Sequence, residues 1–235
     1  MNYLLEVCLV AFTLATNLAP SAAAQSPANE PMQTGISVQM ASSKNALPVP
    51  DADKANAWVV TLSNTGGVYF GEGQLTFDGL RQEMISHPRN RDQKLYIKAD
   101  ARAQYADVER VLMAARASDF FTPVLLTAQT EEHALGTPIP PTGMELSVGS
   151  TTTARSGSMA VQILNSSPGQ QALKMNNEQI PWADLQDRMR ESLGKQREPV
   201  VVVTAGGGLP FAAVVHVIDV CRQAGAKVIL ATPAL

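Results

Sequence analysis

The sequence predicts an α+β protein: an N-terminal transmembrane-length helix, then two tandem ββαβαβ units, each packing its strands on two helices in two layers. Three observations predict it. Residues 95–127 read as strand, polar turn, amphipathic helix and strand, with Val108, Val111, Leu112 and Ala115 forming one apolar stripe at i, i+3, i+4 and i+7. The same order returns in residues 200–232, where the stripe is Val214, Val217, Ile218 and Cys221. The offset is 106 residues at the helix and 105 at the closing pairs Leu125/Leu230 and Thr127/Thr232. Self-similarity at a fixed spacing marks a duplicated unit. The third observation is the apolar run at residues 4–24, which as a helix spans roughly 30 Å.

Taken in order, the chain divides into an N-terminal segment (1–24), a linker (25–56), a first domain (57–128), a second linker with a short strand (129–158) and a second domain (159–235). The N-terminal run holds one carboxylate, Glu6, and no Lys or Arg occurs before Lys44. Two readings stand on these residues. Ala22, Ala23 and Ala24 before Gln25 resemble a signal-peptide cleavage site, but an acid sits where the positive n-region belongs. A membrane anchor fits the length, with Asn17 and Pro20 weakening its second half. Both send the rest of the chain across a membrane.

The first linker carries Pro31, Pro48 and Pro50, with residues 35–40 alternating as an edge strand would. The first domain opens on a strand at 58–62, a turn at Asn64, Thr65, Gly66 and Gly67, and a return strand at 68–70. Thr76 is the expected N-cap of a helix carrying Phe77, Leu80 and Met84, closed by His87 and Pro88. After the Pro-rich 129–142, residues 143–148 echo 35–40, and 160–164 and 173–175 echo the first two strands. Pro181 opens the matching helix, where a first-turn proline is tolerated.

Composition narrows the function classes. A formal charge of −3 with no basic stripe argues against a nucleic-acid partner. Two cysteines, Cys8 and Cys221, exclude a disulfide framework and read as small buried hydrophobes. His87, His133 and His216 have neither metal spacing nor triad partners. Residues 200–210, VVVVTAGGGLP, place three glycines between strand and helix, but lack the G-x-G-x-x-G spacing and a phosphate-binding lysine, so a tight turn is expected. No cofactor, no metal and no enzymatic activity are expected.

In this order the motifs resemble the ExbD/TolR family of bacterial biopolymer-transport proteins. The family's membrane segment, Leu-Val-Asp-Val-Met-Leu-Val, is similar to Leu4, Leu5, Glu6, Val7, Cys8, Leu9 and Val10. Its Pro-x-x-x-Gly-x-x-Val matches Pro31, Gly35 and Val38, and its Ala-Asp-x-x-x-x-Tyr-x-x-Val-x-x-Val segment matches Ala99, Asp100, Tyr105, Val108 and Val111. The second copy has Gly206 for Asp100 and Phe211 for Tyr105. The chain departs from the pattern in having Glu for Asp at position 6 and no basic leader, the usual positive-inside cue.

The resemblance implies a single-pass anchor in the bacterial inner membrane with the bulk of the chain in the periplasm. It implies work beside an ExbB/TolQ-like channel subunit and a TonB/TolA-like effector, energised by the proton motive force. Glu6 is then the proton carrier, since a carboxylate in hydrocarbon ties its protonation to its surroundings. Thr13 and Thr16 either line the channel or bond their own helix backbone. Asp100 and Tyr105 become the partner contact, with capping of the following helix the other reading of Asp100. Family domains dimerise, so the tandem copies imply a homo-oligomer or an intramolecular pseudo-dimer. The alternative is a cleaved, secreted periplasmic binding or adaptor protein that contacts peptidoglycan or an envelope partner.

Overall fold

In the computed structural model, residues 36–87, 92–128, 139–150, 157–167, 170–194 and 196–233 are described. The N-terminal segment 1–24, with Glu6, Thr13 and Thr16, lies outside them, as does Gly35. In chain order the strands are β1 (Leu47–Pro48), β2 (Trp58–Leu62), β3 (Val68–Phe70), β4 (Gly73–Leu75), β5 (Leu95–Ala99), β6 (Val124–Thr127), β7 (Thr142–Glu145), β8 (Ser147–Ser150), β9 (Met159–Ser167), β10 (Gln170–Met175), β11 (Glu178–Ile180), β12 (Val200–Ala205) and β13 (Lys227–Thr232). The helices are α1 (Phe77–Ser86), α2 (Tyr105–Ala117), α3 (Leu185–Leu193) and α4 (Phe211–Gln223).

The strands form two sheets, ordered β1-β7-β6-β5-β2-β3-β4 and β11-β10-β9-β12-β13-β8. Within them β4-β3-β2-β5-β6 and β11-β10-β9-β12-β13 have the same order and the same directions: two antiparallel pairs, then two parallel ones. Each repeat has one strand more than the ββαβαβ reading, because β4 and β11 are three residues long and too short to show a period. Their turns carry the signal instead. Gly71 (φ 61°) begins the two-residue loop before β4, and Asn176 and Asn177 (φ 48° and 72°) form the loop before β11. Two-residue hairpin loops require such positive φ values.

Thr76 caps α1 as expected, its Oγ1 accepting from the Gly79 N–H at 3.0 Å. The predicted stripes of α2 and α4 are all buried. One hydrophobic cluster takes in the inner faces of both sheets and all four helices, running from Trp58 and Ile97 through Tyr105 and Phe211 to Leu230. The two repeats therefore share a core.

The outer face of the first sheet is covered as well. Val59, Tyr96, Val124 and Leu126 pack under Ala52, with Met40, Val49 and Ala57 alongside. This explains why β5 is buried at all five positions: one face meets the helices, the other meets residues 40–57. The edge strand expected at 35–40 is not formed among the described residues 36–40; the sheet-like pairing of 36–43 with the first repeat is by single bridges, Met40 to Asp100 and Ser42 to Ala128. Between the repeats the chain serves both sheets. β7 pairs antiparallel with β6, and β8, after a gap of one residue, pairs parallel with β13. Gly143 is needed there, since a Cβ would lie 2.7 Å from Val124 Cγ1 and 2.9 Å from the Leu125 carbonyl.

Candidate functional site: the paired turns between the repeats

Asp100, at the end of β5, is 3% exposed. Its Oδ1 accepts from the Arg102 backbone N–H at 3.0 Å and from Arg102 Nε at 2.9 Å, and its Oδ2 accepts from Arg102 Nη2 at 3.0 Å and the Gln39 N–H at 3.2 Å. The Arg102 guanidinium leads in holding this carboxyl down at about 2, against the opposing effect of burial. The carboxylate thus braces the turn 100–102 and ties residue 39 to it. It does not reach the first turn of α2, whose N-cap residue, Gln104, makes no side-chain cap.

From that turn onward the two repeats meet backbone to backbone. The Tyr105 N–H donates to the Leu209 carbonyl at 2.8 Å, and the Phe211 N–H to the Ala103 carbonyl at 2.9 Å. The Ala106 N–H donates to the Gly207 carbonyl at 2.8 Å, and the Ala212 N–H to the Ala101 carbonyl at 2.9 Å. Adding the 106-residue offset to either bond of a pair generates the other. Gln104 and its equivalent Pro210 face each other in an antiparallel bridge at the centre. This is a local two-fold axis inside one chain.

Of the three glycines, Gly207 belongs to this contact. A Cβ on Gly207 would sit 3.0 Å from the Ala106 Cβ, and one on Gly208 2.8 Å from Asn165 Nδ2. Gly207 allows close approach of the repeats, whereas Gly208 packs against β9 of its own repeat; the tight-turn reading of 200–210 specified neither contact. Gly206 keeps the backbone role of Asp100: its N–H donates to the Ile163 carbonyl as that of Asp100 donates to the Leu62 carbonyl, both at 2.9 Å.

Tyr105 is fully buried, and among the described residues its hydroxyl has no hydrogen-bond partner. Burial, with a smaller effect of the Glu109 charge, raises its pKa. Its position beside the two-fold makes it a packing residue of the inter-repeat core, as Phe211 is in the other copy.

Side chains that the sequence did not single out complete the interface. Asp219 on α4 accepts from Ser43 Oγ, from the Lys44 N–H at 3.2 Å, and from the Asn45 N–H and Nδ2 at 3.0 and 3.1 Å. Those hydrogen bonds lower its pKa although burial alone would raise it. Arg116 Nη1 donates to Thr232 Oγ1 and the Pro233 carbonyl, and its equivalent Arg222 donates to the Glu145 carbonyl. No local spacing signals these contacts, because partners lie 77 to 176 residues apart.

Under the 40–57 cover, Lys98 is 6% exposed and its pKa is lowered by burial, against the attraction of Asp53. The carboxyl of Asp53 is raised, again by burial first. Beside them the Thr61 hydroxyl has no partner among the described residues. The Cys221 thiol is buried and pushed up to about 12, which makes it an inert packing group. His87 lies against Glu83 at 3.2 Å and His216 against the ring of Trp182. Among the described residues no group of His, Cys, Asp and Glu is arranged to hold a metal ion, and no helix is long and apolar enough to cross a membrane.

Glu6, Thr13 and Thr16 fall outside the described residues, as do Cys8 and His133. Asp100 and Tyr105 are brought within the same inter-repeat region. Comparison with known proteins adds one finding. No curated protein and no solved structure matches the chain. A family model described as "Biopolymer transport protein ExbD/TolR" matches it twice, over residues 6–130 and 120–234, one match for each repeat. With nearly the whole chain covered, and the two matches falling on two halves of like topology, the protein belongs to the ExbD/TolR family of biopolymer transport proteins.

Proposed function

We propose that the protein is a single-pass inner-membrane subunit of a complex driven by the proton motive force, which energises transport across the envelope. The family works in membrane energy transduction for biopolymer transport and is not an enzymatic family. The observation that carries the finer reading is where the first match begins: at Glu6, inside the apolar run, continuing unbroken into the first repeat. In this reading Glu6 carries the proton and Thr13 and Thr16 line its path beside an ExbB/TolQ-like channel. A change in protonation alters helix contacts in the membrane, and the periplasmic repeats pass the movement to a TonB/TolA-like effector. Asp100 bears on that role by fixing the turn at the two-fold. The tandem repeats stand in for two subunits, since a short connection keeps their effective concentration high.

Glu6→Gln tests the proposal, because glutamine keeps the shape but cannot ionise. Transport that depends on the proton motive force is expected to be lost while the protein still co-purifies with its channel partner. Full activity in that variant would sink the reading.

Ala22, Ala23 and Ala24 favour a second reading, a secreted adaptor that contacts peptidoglycan or an envelope partner. Mature protein that starts at Gln25 and partitions with the soluble fraction would establish it and remove Glu6 from any role.

A further inference from the structure

The two repeats differ in what lies between their helices. In the first, a groove between α1 and α2 encloses about 950 Å³. Phe77, Met113, Ala114 and Ala117 supply its apolar surface, and Arg81 and Arg110 its cationic rim, against the single carboxylate of Asp78. Arg110 lies over the Phe77 ring at 5.1 Å and only 3.7 Å from Asp107, with its side chain 62% exposed. Arg81 is exposed and has no ion-pair partner among the described residues.

The equivalent positions in the second repeat are bridged. Arg81 and Ala117 correspond to Gln186 and Gln223, and Gln186 Nε2 donates to Gln223 Oε1 at 3.1 Å, joining α3 to α4. Phe77 and Arg110 correspond to Trp182 and His216, whose rings lie 6.2 Å apart. Met113 corresponds to Asp219, the carboxylate that holds Ser43, Lys44 and Asn45. On that side the chain lays its own backbone against α4, with a carboxylate binding it. On the first side the chemistry is reversed. A methionine replaces the carboxylate, alanine cannot reach across, and two guanidiniums stand at the rim, Arg81 unpaired among the described residues and Arg110 3.7 Å from Asp107.

We propose that the open groove between α1 and α2 is a docking site for an acidic polypeptide segment of a partner protein, which sets large apolar side chains on Phe77, Met113 and Ala117 and carboxylates on Arg81 and Arg110. Charge complementarity chooses the sign: guanidiniums pair with carboxylates in bidentate fashion and stack on aromatic rings. The contact between α4 and residues 43–45 shows that this helix position holds polypeptide backbone, there as a bend at Lys44 and Asn45. Because one groove is open and its equivalent is bridged, the protein binds one such segment per chain. This does not rest on the membrane reading of residues 1–24.

The test uses the full-length protein in detergent and a fluorescein-labelled peptide of about eight residues alternating glutamate and leucine. Control peptides of the same length alternate lysine with leucine and glutamate with serine. Saturable binding of the glutamate–leucine peptide at one site is expected, with both controls weaker by about tenfold or more, which is 1.4 kcal/mol. Arg81→Glu with Arg110→Glu should weaken it by at least about tenfold, whereas Gln186→Glu should leave it unchanged. Arg81→Gln with Ala117→Gln rebuilds the bridge of the second repeat and should also close the site. Equal binding of the lysine–leucine peptide, undiminished affinity in both double variants, or no saturable binding overturns the proposal.

Discussion

Tyr105 and Phe211 occupy equivalent places 106 residues apart, and both are fully buried beside the two-fold. They differ by one oxygen, which has no partner among the described residues. A buried hydroxyl without a hydrogen bond costs about 1–3 kcal/mol in desolvation. Tyr105→Phe should therefore leave stability unchanged or raise it by about 1 kcal/mol, read from denaturant unfolding. A loss of more than about 1 kcal/mol would mean that the hydroxyl is satisfied in solution. Asp100 behaves in the opposite way. It is equally buried, but both of its oxygens are paired, so its charge is held by Arg102 and the Gln39 N–H. Of two polar residues that the sequence marks together, one is a satisfied brace and the other an orphan. Only the neighbours distinguish them.

Among elements, the turns at the starts of α2 and α4 show how one feature can be visible without its purpose. Three glycines before a helix are plain in residues 206–208, and their spacing directs attention away from phosphate binding. A Cβ on Gly207 would lie 3.0 Å from the Ala106 Cβ across the repeats, and one on Gly208 2.8 Å from Asn165 Nδ2 within its own repeat. Gly207→Val would push Ala106 aside and strain the four inter-repeat bonds. It should destabilise the protein by about 1–3 kcal/mol, in the range for overpacking a well-fitted contact. Thermal unfolding measures this, and an unchanged midpoint would contradict close docking of the turns. The short strands β4 and β11 are the complementary case. Three residues are too few for a periodicity, yet a two-residue turn with Gly71 or with Asn176 and Asn177 can fold the chain back only as a hairpin.

For the whole molecule, the two-fold places like surfaces of the two repeats against each other, which is the arrangement of an isologous dimer. Here both halves lie in one chain and the backbone bonds at the axis are already made. The full-length protein should accordingly sediment as a monomer once the mass of bound detergent is subtracted. A dimer that persists on dilution and is broken by Gly207→Val would show instead that the repeats pair between chains. The halves are not interchangeable. Residues 40–57 cover the first sheet, and Asp219 secures residues 43–45 to the second repeat. A duplication that began symmetric now has one bridged helix groove and one open.

The sequence by itself determined the repeat, its offset, the stripes of α2 and α4, and the family, because each is written in short-range pattern: 3.6-residue spacing, cap, turn and motif order. The third strands were legible only in the turn residues before them, and the neighbours of Asp100 were not legible in that pattern at all. Tertiary structure alone decided that β7 and β8 serve different sheets, that the glycine turn meets the turn after Asp100, that Tyr105 is core, that Arg116 links the repeats and that Asp219 holds residues 43–45. Those contacts join residues up to 176 positions apart. Close packing decides them, because a pairing is set by which surfaces fit and which polar groups remain to be satisfied once two folded units meet.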